Sequence, residues 1–419
     1  MISDIIVIGG GASGLTSAII AAREGRSVII LEHKDKIGKK ILATGNGKCN
    51  YTNLHQDPSF YRGDDPSFVI EPLKRFGVAE TVRFFKELGI YPKEKNGYFY
   101  PYSEQASAVL EVLRLELEYL KVNIICNEHV SSIDYTQVNN NHNKHSSDAM
   151  FRIKTQNNTY NARKIILATG GMAYSELGSD GSGYPIAKRL GHSIVTPVPA
   201  LVQLKAKETF FKNLAGIRIQ SHIQLYIDNQ FTKESKGELQ LTGYGVSGIP
   251  IFEISRFASR ALEKKSKVHI ILDFLPDIEV PEVYQLIVSR IETGGYKTAE
   301  ELMIGLLNKK LTYVIMKEIG IPLTKIALKL DKREINQLVN QIKNFKITIH
   351  EANSFANAQV SAGGVNTKEI DNNTMESKLV SGLYIIGELL DIDGNCGGYN
   401  LQWAWTTGYI AGRDAARRI

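Results

Sequence analysis

Three glycines near the start of this 419-residue chain have the spacing of a phosphate-binding turn. Four apolar residues, 5–8, lead directly into Gly9-x-Gly11-x-x-Gly14. Gly9 permits a tight turn, Gly11 lets the backbone approach a pyrophosphate, and Gly14 lets a helix pack closely on a strand. A helix that begins here offers free N–H groups and a partial positive charge to phosphates. These residues predict a dinucleotide site.

The elements around the glycines have the order that such a site requires. Residues 5–8 predict a buried strand, residues 15–26 a helix, and residues 27–31 a second buried strand that ends at Glu32. A carboxylate in this place accepts hydrogen bonds from ribose hydroxyls and repels a 2′-phosphate. The complete order favours dinucleotide binding over a glycine turn in an ordinary α/β domain. Glu32 does not distinguish NAD from FAD.

Length and composition indicate an ordinary globular protein of two or three domains. The net charge of +6 is small for this length, so we expect no nucleic-acid partner. No apolar run is long enough to span a membrane, and the first residues predict a core strand in place of a signal peptide. Three scattered cysteines, Cys49, Cys126 and Cys396, give no disulfide framework or zinc site. We expect a cytoplasmic protein, and its oligomeric state stays open.

Three further segments are rich in glycine. Residues 39–50 combine Gly, Asn, Thr and Lys, a composition that suits a loop around a phosphate-bearing ligand or an ordinary surface turn. Residues 164–171 predict a strand that ends in a turn of small residues. Residues 382–402 predict a strand and a glycine loop, followed by a helix over 401–417 whose N-terminal dipole points at the loop.

The middle of the chain has a different pattern. Short strands are predicted at 122–126, 130–135 and 151–155, forming a β-meander, and alternation over 217–227 and 268–272 predicts a β-rich unit. Residues 281–345 are helical and amphipathic. The polar run 137–147 contains His142 and His145, with His129 nearby, and favours a hairpin tip over a metal site.

Two surface features have alternative interpretations. The aromatic loop 96–102 suits either a substrate or flavin pocket or a packed aromatic turn, and the packed turn is favoured. The basic runs 264–267 and 309–310 lack interleaved aromatic residues, which favours solvated faces over a nucleic-acid surface.

Six motifs together resemble one flavoprotein family. They are Gly-Gly-Gly-Ala-Ser-Gly (9–14), Lys-Lys-Ile-Leu-Ala-Thr-Gly-Asn-Gly-Lys-Cys-Asn (39–50), Leu-Ala-Thr-Gly-Gly (167–171), Tyr-Gly-Val-Ser-Gly (244–248), Ala-Gly-Gly-Val (362–365) and Gly-Glu-x-x-Asp-x-x-Gly-x-x-Gly-Gly-Tyr-Asn (387–400). The chain resembles the BaiN-like FAD flavoproteins, which include aminoacetone oxidase and a bile-acid 3-dehydro-4,6-reductase. The motifs span nearly the whole length in the family's order.

The resemblance implies an α/β fold with a Rossmann-like, glutathione-reductase-type FAD domain assembled from both ends of the chain. An inserted β-rich domain and a small helical domain would interrupt it. The expected boundaries are 1–192 and 346–419 for the FAD domain, 193–275 for the β-rich domain and 276–345 for the helical domain.

The resemblance also implies the cofactor-binding residues. Gly9, Gly11, Ser13 and Gly14 would hold the pyrophosphate of FAD, with Glu32 on the adenosine ribose and the backbone of Val130 at the adenine. Lys40, Thr44, Gly47 and Asn50 would lie along the flavin, and Thr169 and Gly170 beside the pyrophosphate. Gly387, Asp393, Gly398, Asn400 and Leu401 would close over the ribityl chain and ring. The remaining members of the predicted site are Ala12, Gly45, Cys49, Ala168, Glu388 and Tyr399.

The implied activity is FAD-dependent hydride transfer through flavin N5, with NAD(P)H reducing a small unsaturated or carbonyl compound. One alternative is an oxidase of a small amine such as aminoacetone, and another is a non-catalytic flavin sensor or RNA-linked protein. No second complete GxGxxG unit is present, so NAD(P)H would dock transiently. Tyr399, Cys49 and His192 are weak acid–base candidates without an evident partner, and no catalytic residue is assigned. The absence of a C-x-x-x-x-C pair argues against a disulfide reductase.

Overall fold

The computed structural model describes residues 2–138 and 148–419 of the chain. Within these ranges the strands are β1 (Ile2–Ile8), β2 (Val28–Leu31), β3 (Thr52–Asn53), β4 (Tyr61–Arg62), β5 (Pro92–Lys95), β6 (Tyr98–Pro101), β7 (Asn123–Ile125), β8 (Val130–Val138), β9 (Asp148–Thr155), β10 (Thr159–Leu167), β11 (Ile194–Ala200), β12 (Leu204–Ala206), β13 (Arg218–Ile227), β14 (Gln230–Thr242), β15 (Gly245–Ser247), β16 (Val268–Asp273), β17 (Phe345–Ala352), β18 (Val360–Val365), β19 (Leu383–Ile385) and β20 (Asp393–Gly394).

The α-helices of the same ranges alternate with these strands. They are α1 (Ala12–Arg23), α2 (Lys39–Ala43), α3 (Ile70–Arg75), α4 (Val78–Glu87), α5 (Ala106–Tyr119), α6 (Gly183–Arg189), α7 (Phe211–Leu214), α8 (Ile249–Glu263), α9 (Val280–Gly294), α10 (Ala299–Leu302), α11 (Lys309–Glu318), α12 (Lys332–Lys343) and α13 (Tyr399–Arg417). None of the helices in the described ranges has the length and apolar character to cross a membrane.

The chain divides into two compact units. Met1–Val198 and Gln359–Ile419 form the first, here called the Rossmann unit, and Pro199–Ala358 forms the second, here called the barrel unit. The sequence boundaries at 192/193 and 345/346 differ from this division. The second one differs because β17, which begins at Phe345, is a strand of the barrel.

The Rossmann unit is built on a seven-stranded sheet in the order β7-β2-β1-β10-β9-β8, with β19 also paired to β10. β1 pairs in parallel with β2 and with β10, in a register that places Ile6 beside Ile29 and Ile165. Ile6 and Ile165 are buried and Ile29 is half-buried, as expected for a parallel sheet covered on both faces. The predicted Rossmann-like α/β fold, with additional β-rich elements, is confirmed.

The antiparallel part of this sheet differs from the predicted meander. β8, β9 and β10 pair antiparallel in sequence, but β7 pairs in parallel with β2 and lies at the other edge. The three-residue β7 follows α5, and such a strand–helix–strand crossover places parallel strands side by side. His142 and His145, in the predicted hairpin tip, lie outside the described residues.

Helix α13 packs directly on α1, although the two lie at opposite ends of the chain. A Cβ on Gly408 would lie 2.5 Å from the carbonyl oxygen of Ser13, and one on Gly412 would lie 2.4 Å from that of Ser17. The two glycines therefore bring the helix backbones into contact, which no larger residue would allow. This contact fixes the last helix of the chain beside the glycine turn.

The barrel unit contains a closed six-stranded barrel in the order β12-β15-β14-β13-β16-β17. Its interior is apolar and includes Leu225, Ile270 and Ile347, which face one another across neighbouring strands. The helices α9, α11 and α12 pack into the same hydrophobic cluster. In the structure these helices share the hydrophobic cluster of the barrel. A separate helical domain over 276–345 stays a prediction.

Candidate cofactor site

The glycine turn connects β1 to α1 as the sequence predicts. Gly9 has a φ of +106°, and a Cβ there would lie 2.4 Å from the carbonyl oxygen of Ala168. A Cβ on Gly14 would lie 2.0 Å from the carbonyl oxygen of Gly9. Gly11 is different, because its Cβ would meet nothing within 4 Å. Gly9 and Gly14 are therefore required by packing, whereas Gly11 faces open space.

The start of α1 fits the phosphates of a dinucleotide. Gly11 is its N-cap, and no side chain accepts a hydrogen bond from the first N–H groups of the helix. Ala12 and Ser13 form the first helical positions, and Ser13 is buried. Uncapped N–H groups next to open space are what an anionic pyrophosphate needs.

Glu32 is buried at the end of β2, and its carboxylate already holds two backbone groups. Oε2 accepts a hydrogen bond from the N–H of Gly10 at 2.7 Å, and Oε1 accepts one from that of Lys34 at 2.8 Å. The N–H of Glu128 bonds to the carbonyl of Glu32, which places the nearby Val130 in the same region. Glu32 therefore shapes the glycine turn in addition to its predicted role at a ribose.

The segment 39–50 forms the short helix α2 and a tight turn over Thr44–Gly47, with Gly45 and Asn46 in left-handed conformations. Cys49 is fully buried, and burial raises the pKa of its thiol to about 12 despite a hydrogen bond with Thr44. Such a thiol stays protonated at neutral pH, which argues against Cys49 as an acid–base group. The three cysteines of the described residues are free, so Cys49 and Cys396 form no disulfide.

Lys40 and Glu388 connect two segments of the predicted site. Lys40 Nζ lies 2.7 Å from Glu388 Oε2 and 3.5 Å from Ser179 Oγ. Glu388 Oε1 accepts a hydrogen bond from the N–H of Ser361. Neither Ser179 nor Ser361 is among the site residues predicted from the sequence. The pairing of Lys40 with Glu388 could not be predicted from sequence neighbours, because the two residues are 348 positions apart.

The turn after β10 adds Ala168, Thr169 and Gly170, the last with a φ of +75°. The buried Thr169 Oγ1 has no hydrogen-bond partner. Asn50 Oδ1, in the segment 39–50, is also buried and has no hydrogen-bond partner. Two orphaned polar atoms among the predicted cofactor residues indicate that a polar ligand completes them.

The glycine loop before α13 meets both earlier segments. A Cβ on Gly387 would lie 2.6 Å from Ser13 Oγ, and one on Gly398 would lie 2.9 Å from Asn50 Oδ1. The side chain of Asn400 closes the loop by pairing with the N–H and carbonyl of Gly394, beside the buried Asp393. The structure thus brings together the predicted segments 9–14, 39–50, 168–170 and 387–401.

Helix α13 begins at Tyr399, two residues before its predicted start, and no side chain caps it. Gly398 precedes it with a φ of +96°. Tyr399 is buried against the ring of Phe60, with 5.1 Å between centroids, and Leu401 is half-buried. The first N–H groups of α1 and α13, the open space at Gly11 and the two orphaned oxygens together fit FAD.

His192 has partners that the sequence does not reveal. Its Nδ1 lies 3.0 Å from Glu369 Oε2, and its Nε2 lies 2.8 Å from Ser377 Oγ. Ser377 Oγ also accepts hydrogen bonds from the N–H groups of Leu379 and Val380. Burial lowers the pKa of His192, and the hydrogen bond to Glu369 offsets this only in part. His192 and Ser377 are buried and Glu369 is half-buried, and their hydrogen bonds hold the 369–380 loop to the end of α6, which indicates a structural role. No cluster of His, Cys, Asp and Glu in the part of the chain that the structure describes has the arrangement of a metal site.

Comparison with known proteins identifies the family of the chain. The model of the family described as HI0933-like protein Rossmann domain matches residues 3–414. The chain belongs to this HI0933-like family. It is 44% identical to a Clostridium scindens protein named 3-dehydro-bile acid delta(4,6)-reductase, over 98% of each chain. The predicted resemblance is therefore confirmed.

Two other proteins that are similar over nearly the full length have a different name. Ribosomal RNA dihydrouridine synthase of Haemophilus influenzae is 31% identical over 99% of each chain. The Escherichia coli protein of the same name is 27% identical over 98% of this chain and 97% of its own. The family and the reductase relative identify this chain as an FAD-dependent oxidoreductase.

Proposed function

We propose that the enzyme uses NAD(P)H to reduce a small compound whose C=C bond is conjugated with a carbonyl group. The main support is the full-length similarity to a relative named as a reductase of a 3-dehydro, delta(4,6) compound. Dihydrouridine, in the name of the other relatives, is likewise the product of saturating a C=C bond conjugated with a carbonyl. One chemistry therefore accommodates both names. When bound, FAD supplies the two-electron hydride carrier that this chemistry needs.

The residues of the chain supply binding and electrostatics. The uncapped start of α1 would hold the pyrophosphate, and Asn50 Oδ1 and Thr169 Oγ1 would gain hydrogen-bond partners. The uncapped start of α13 favours negative charge on the bound ligand by about 1 kcal/mol, equivalent to roughly 20 mV for a two-electron couple. The Lys40–Glu388 pair is neutral overall, so it fixes loop positions more than it changes the local potential.

Anaerobic stopped-flow absorbance tests the electron donor. The purified yellow holoprotein is mixed with NADH or NADPH, and we expect rapid bleaching of the flavin band by one of them. Reoxidation by an added conjugated enone, such as 2-cyclohexenone, then tests the substrate class, with the saturated cyclohexanone as the matched control. A flavin that stays oxidised for minutes with both nucleotides but bleaches with aminoacetone would contradict this proposal and favour an amine oxidase.

The second candidate is the same reduction on a uracil ring of ribosomal RNA. It is supported by the two relatives of that name and by the distribution of charge. Residues 199–358 contain 22 Lys and Arg against 17 Asp and Glu, a net of +5 out of the +6 of the whole chain. Excess positive charge on one unit favours a polyanionic partner. Incubation of ribosomal RNA with holoprotein and NADPH, followed by nucleoside mass spectrometry, tests this: a uridine that gains two hydrogens supports it, and unchanged uridine contradicts it.

A further inference from the structure

The hairpin of β5 and β6 has an unusual outer face. Lys93 pairs with Tyr100 and Lys95 with Tyr98, and the N–H of Tyr102 extends the ladder by bonding to the carbonyl of Tyr91. Alternate residues of a strand share a face. One face of the hairpin therefore consists of tyrosines and lysines only; this Tyr–Lys face comprises Tyr91, Lys93, Lys95, Tyr98, Tyr100 and Tyr102.

On the inner face of the hairpin Phe99 is half-buried and Pro101 is buried, although Glu94 there is exposed. On the Tyr–Lys face, which is the outer one, Tyr91, Lys95 and Tyr102 are exposed, whereas Lys93, Tyr98 and Tyr100 are half-buried. Phe99 lies on that inner face, with its ring centroid 6.3 Å from that of Tyr51. On the outer face, Tyr91 is 72% exposed and Tyr102 is 64% exposed, and their rings form a T-shaped pair. Lys93 Nζ lies 5.7 Å from the centre of the Tyr102 ring. The rings of Tyr91 and Tyr102 are therefore not part of the core, and neighbouring exposed rings of this kind are typical of a binding surface.

The Tyr–Lys face adjoins the candidate cofactor site within the same unit. Glu104 binds both Lys93 of the face and Lys48 of the 39–50 segment, the latter at 2.8 Å. A Cβ on Gly397 would lie 2.4 Å from the ring of Tyr98, and one on Gly45 would lie 3.8 Å from the ring of Tyr100. A ligand lying on this face would therefore extend to the two loops predicted to enclose the flavin.

The composition of the face indicates what it binds. Planar aromatic rings stack with nucleobases, and neighbouring lysines pair with phosphates. Lys48, Lys93 and Lys95 give three positive charges against the single negative charge of Glu104. Lys95 has no carboxylate partner among the described residues. A compact apolar substrate is better served by a concave pocket than by an open tyrosine surface.

We infer that the Tyr–Lys face binds single-stranded RNA and leads a base toward the candidate cofactor site. This inference rests on the second form of the proposed function, reduction of a uracil ring in RNA. It opposes the expectation of no nucleic-acid partner, which was based on the small net charge of +6 and on the lysine runs 264–267 and 309–310 without interleaved aromatic residues. Lysines occupy every second position of β5, and tyrosines occupy every second position of β6. The pairing of the two strands places both sets on one face.

Fluorescence anisotropy of the FAD-loaded protein with a labelled 20-nucleotide uridine RNA tests the face. The double variant Tyr91→Ala/Tyr102→Ala should weaken RNA binding by about 25-fold or more, because the loss of each stacking ring costs roughly fivefold to a hundredfold. Heparin, a polyanion without bases, should bind this variant as it binds the unaltered protein. The variant Lys93→Gln/Lys95→Gln should weaken the binding of both RNA and heparin. The slope of log affinity against log salt concentration for RNA should fall by the equivalent of about one to two phosphate contacts.

Matched variants elsewhere serve as controls. Tyr296→Ala removes a ring that is 78% exposed in the barrel unit, and Lys264→Gln/Lys265→Gln removes two charges from an exposed basic run. Tyr296→Ala should change the affinity for RNA less than about twofold, and Lys264→Gln/Lys265→Gln should weaken it less than Lys93→Gln/Lys95→Gln does. FAD content and melting temperature establish that every variant is folded.

Each outcome separates the face from the catalytic proposal. If the unaltered protein does not bind the RNA, or if the controls weaken binding as much as the hairpin variants, the inference is overturned. The stopped-flow assay with a small enone is unaffected by that result. RNA binding that depends on the hairpin, in a protein whose flavin NAD(P)H does not reduce, would support the face and contradict the proposed electron donor.

Discussion

The interiors of the Rossmann unit and the barrel unit are specified in different ways. Around the candidate site, buried polar groups are joined by hydrogen bonds: Gln402 accepts from Thr52 and donates to Thr406 and to the carbonyl of Phe76. Glycines there contact backbone directly. The barrel interior is formed by aliphatic side chains such as Ile270 and Ile347, paired across strands.

This difference determines how tolerant each interior is. An aliphatic core accepts many combinations of similar total volume, whereas a hydrogen-bond network or a glycine contact accepts few residue types. The Rossmann unit is therefore specified residue by residue around a ligand, and the barrel unit by the volume that it encloses. Substitutions in the two units should have different consequences for cofactor binding.

The largest combined effect, on stability and on FAD affinity together, is expected from Gly14→Ala. The added Cβ would overlap the carbonyl of Gly9, which destabilises the fold by about 1–3 kcal/mol. It would also displace the N–H groups offered to the pyrophosphate, and losing two such bonds lowers FAD affinity about 100-fold. Thermal unfolding and the ratio of FAD to protein measure the two effects.

Gly11→Ala separates these effects. Its Cβ meets no protein atom within 4 Å and its φ is not positive, so the melting temperature of the apoprotein should not change. The methyl group would nevertheless occupy the space proposed for the pyrophosphate, so FAD affinity should fall. A Gly11→Ala protein that retains FAD normally would contradict the proposed placement.

The next effect is expected in the barrel core. Ile270→Ala should destabilise the protein by about 2–5 kcal/mol, because it leaves a cavity between Leu225 and Ile347. The folded fraction should still bind FAD in the normal ratio. Urea denaturation and flavin absorbance measure both quantities, with Ile271→Ala, at a half-buried position of the same strand, as the milder control. Loss of FAD from folded Ile270→Ala would remove the distinction between the two interiors.

A smaller effect is expected from pH. Because burial lowers the pKa of His192 below its usual 6.5, the unfolded chain binds a proton in a range where the folded protein resists it. Stability should therefore fall as the pH decreases from about 6.5, by an amount on the order of 1 kcal/mol. His192→Gln should be less stable at all pH values but should show a shallower decrease between pH 7.5 and 5.5 in urea denaturation.

His269 in the barrel unit is the comparison for this experiment. Burial also lowers its pKa, but its ring stacks on Tyr226 instead of bonding to a carboxylate. His269→Gln should reduce the acid sensitivity of the protein without the general loss of stability expected for His192→Gln. Identical pH profiles for His192→Gln and the unaltered protein would contradict the pKa assignment.

The smallest effect is expected at Cys49. With a pKa of about 12 and no exposed surface, its thiol should not react with iodoacetamide in the folded holoprotein. Peptide mass spectrometry should find Cys49 unmodified in native protein and alkylated after denaturation. Rapid native alkylation of Cys49 would indicate an accessible thiolate and would reopen a chemical role.

The sequence predicts the site better than the surrounding structure, for a physical reason. A glycine at position 9 or 14 is required by contacts of 2.4 Å or less, so the backbone geometry limits the residue type. The barrel has such positions only in the motif 244–248, where a Cβ on Gly245 would lie 2.2 Å from the carbonyl oxygen of Leu204 and one on Gly248 would lie 2.4 Å from that of Glu238; the strands predicted at 217–227 and 268–272 contain none. β17 closes it by pairing with both β12 and β16, and nothing in residues 345–352 indicates that pairing.

Long-range polar partners were likewise beyond prediction. The sequence suggested no partner for His192, because Glu369 lies 177 residues further along the chain. The contact of Lys40 with Glu388 is of the same kind, although both residues were predicted members of the site. The Tyr–Lys face was missed for another reason: the loop 96–102 was considered without the preceding strand that supplies Tyr91, Lys93 and Lys95.

The contact between α1 and α13 has a consequence for the order of folding. Arg26, just after α1, donates hydrogen bonds to the carbonyls of Ala416 and Ile419, across a separation of about 390 residues. The barrel unit is one continuous segment and can fold as soon as it leaves the ribosome. The Rossmann unit closes only after α13 has been synthesised, and closing so long a loop is slow. FAD can therefore be bound in full only after α13 has been synthesised and has packed on α1.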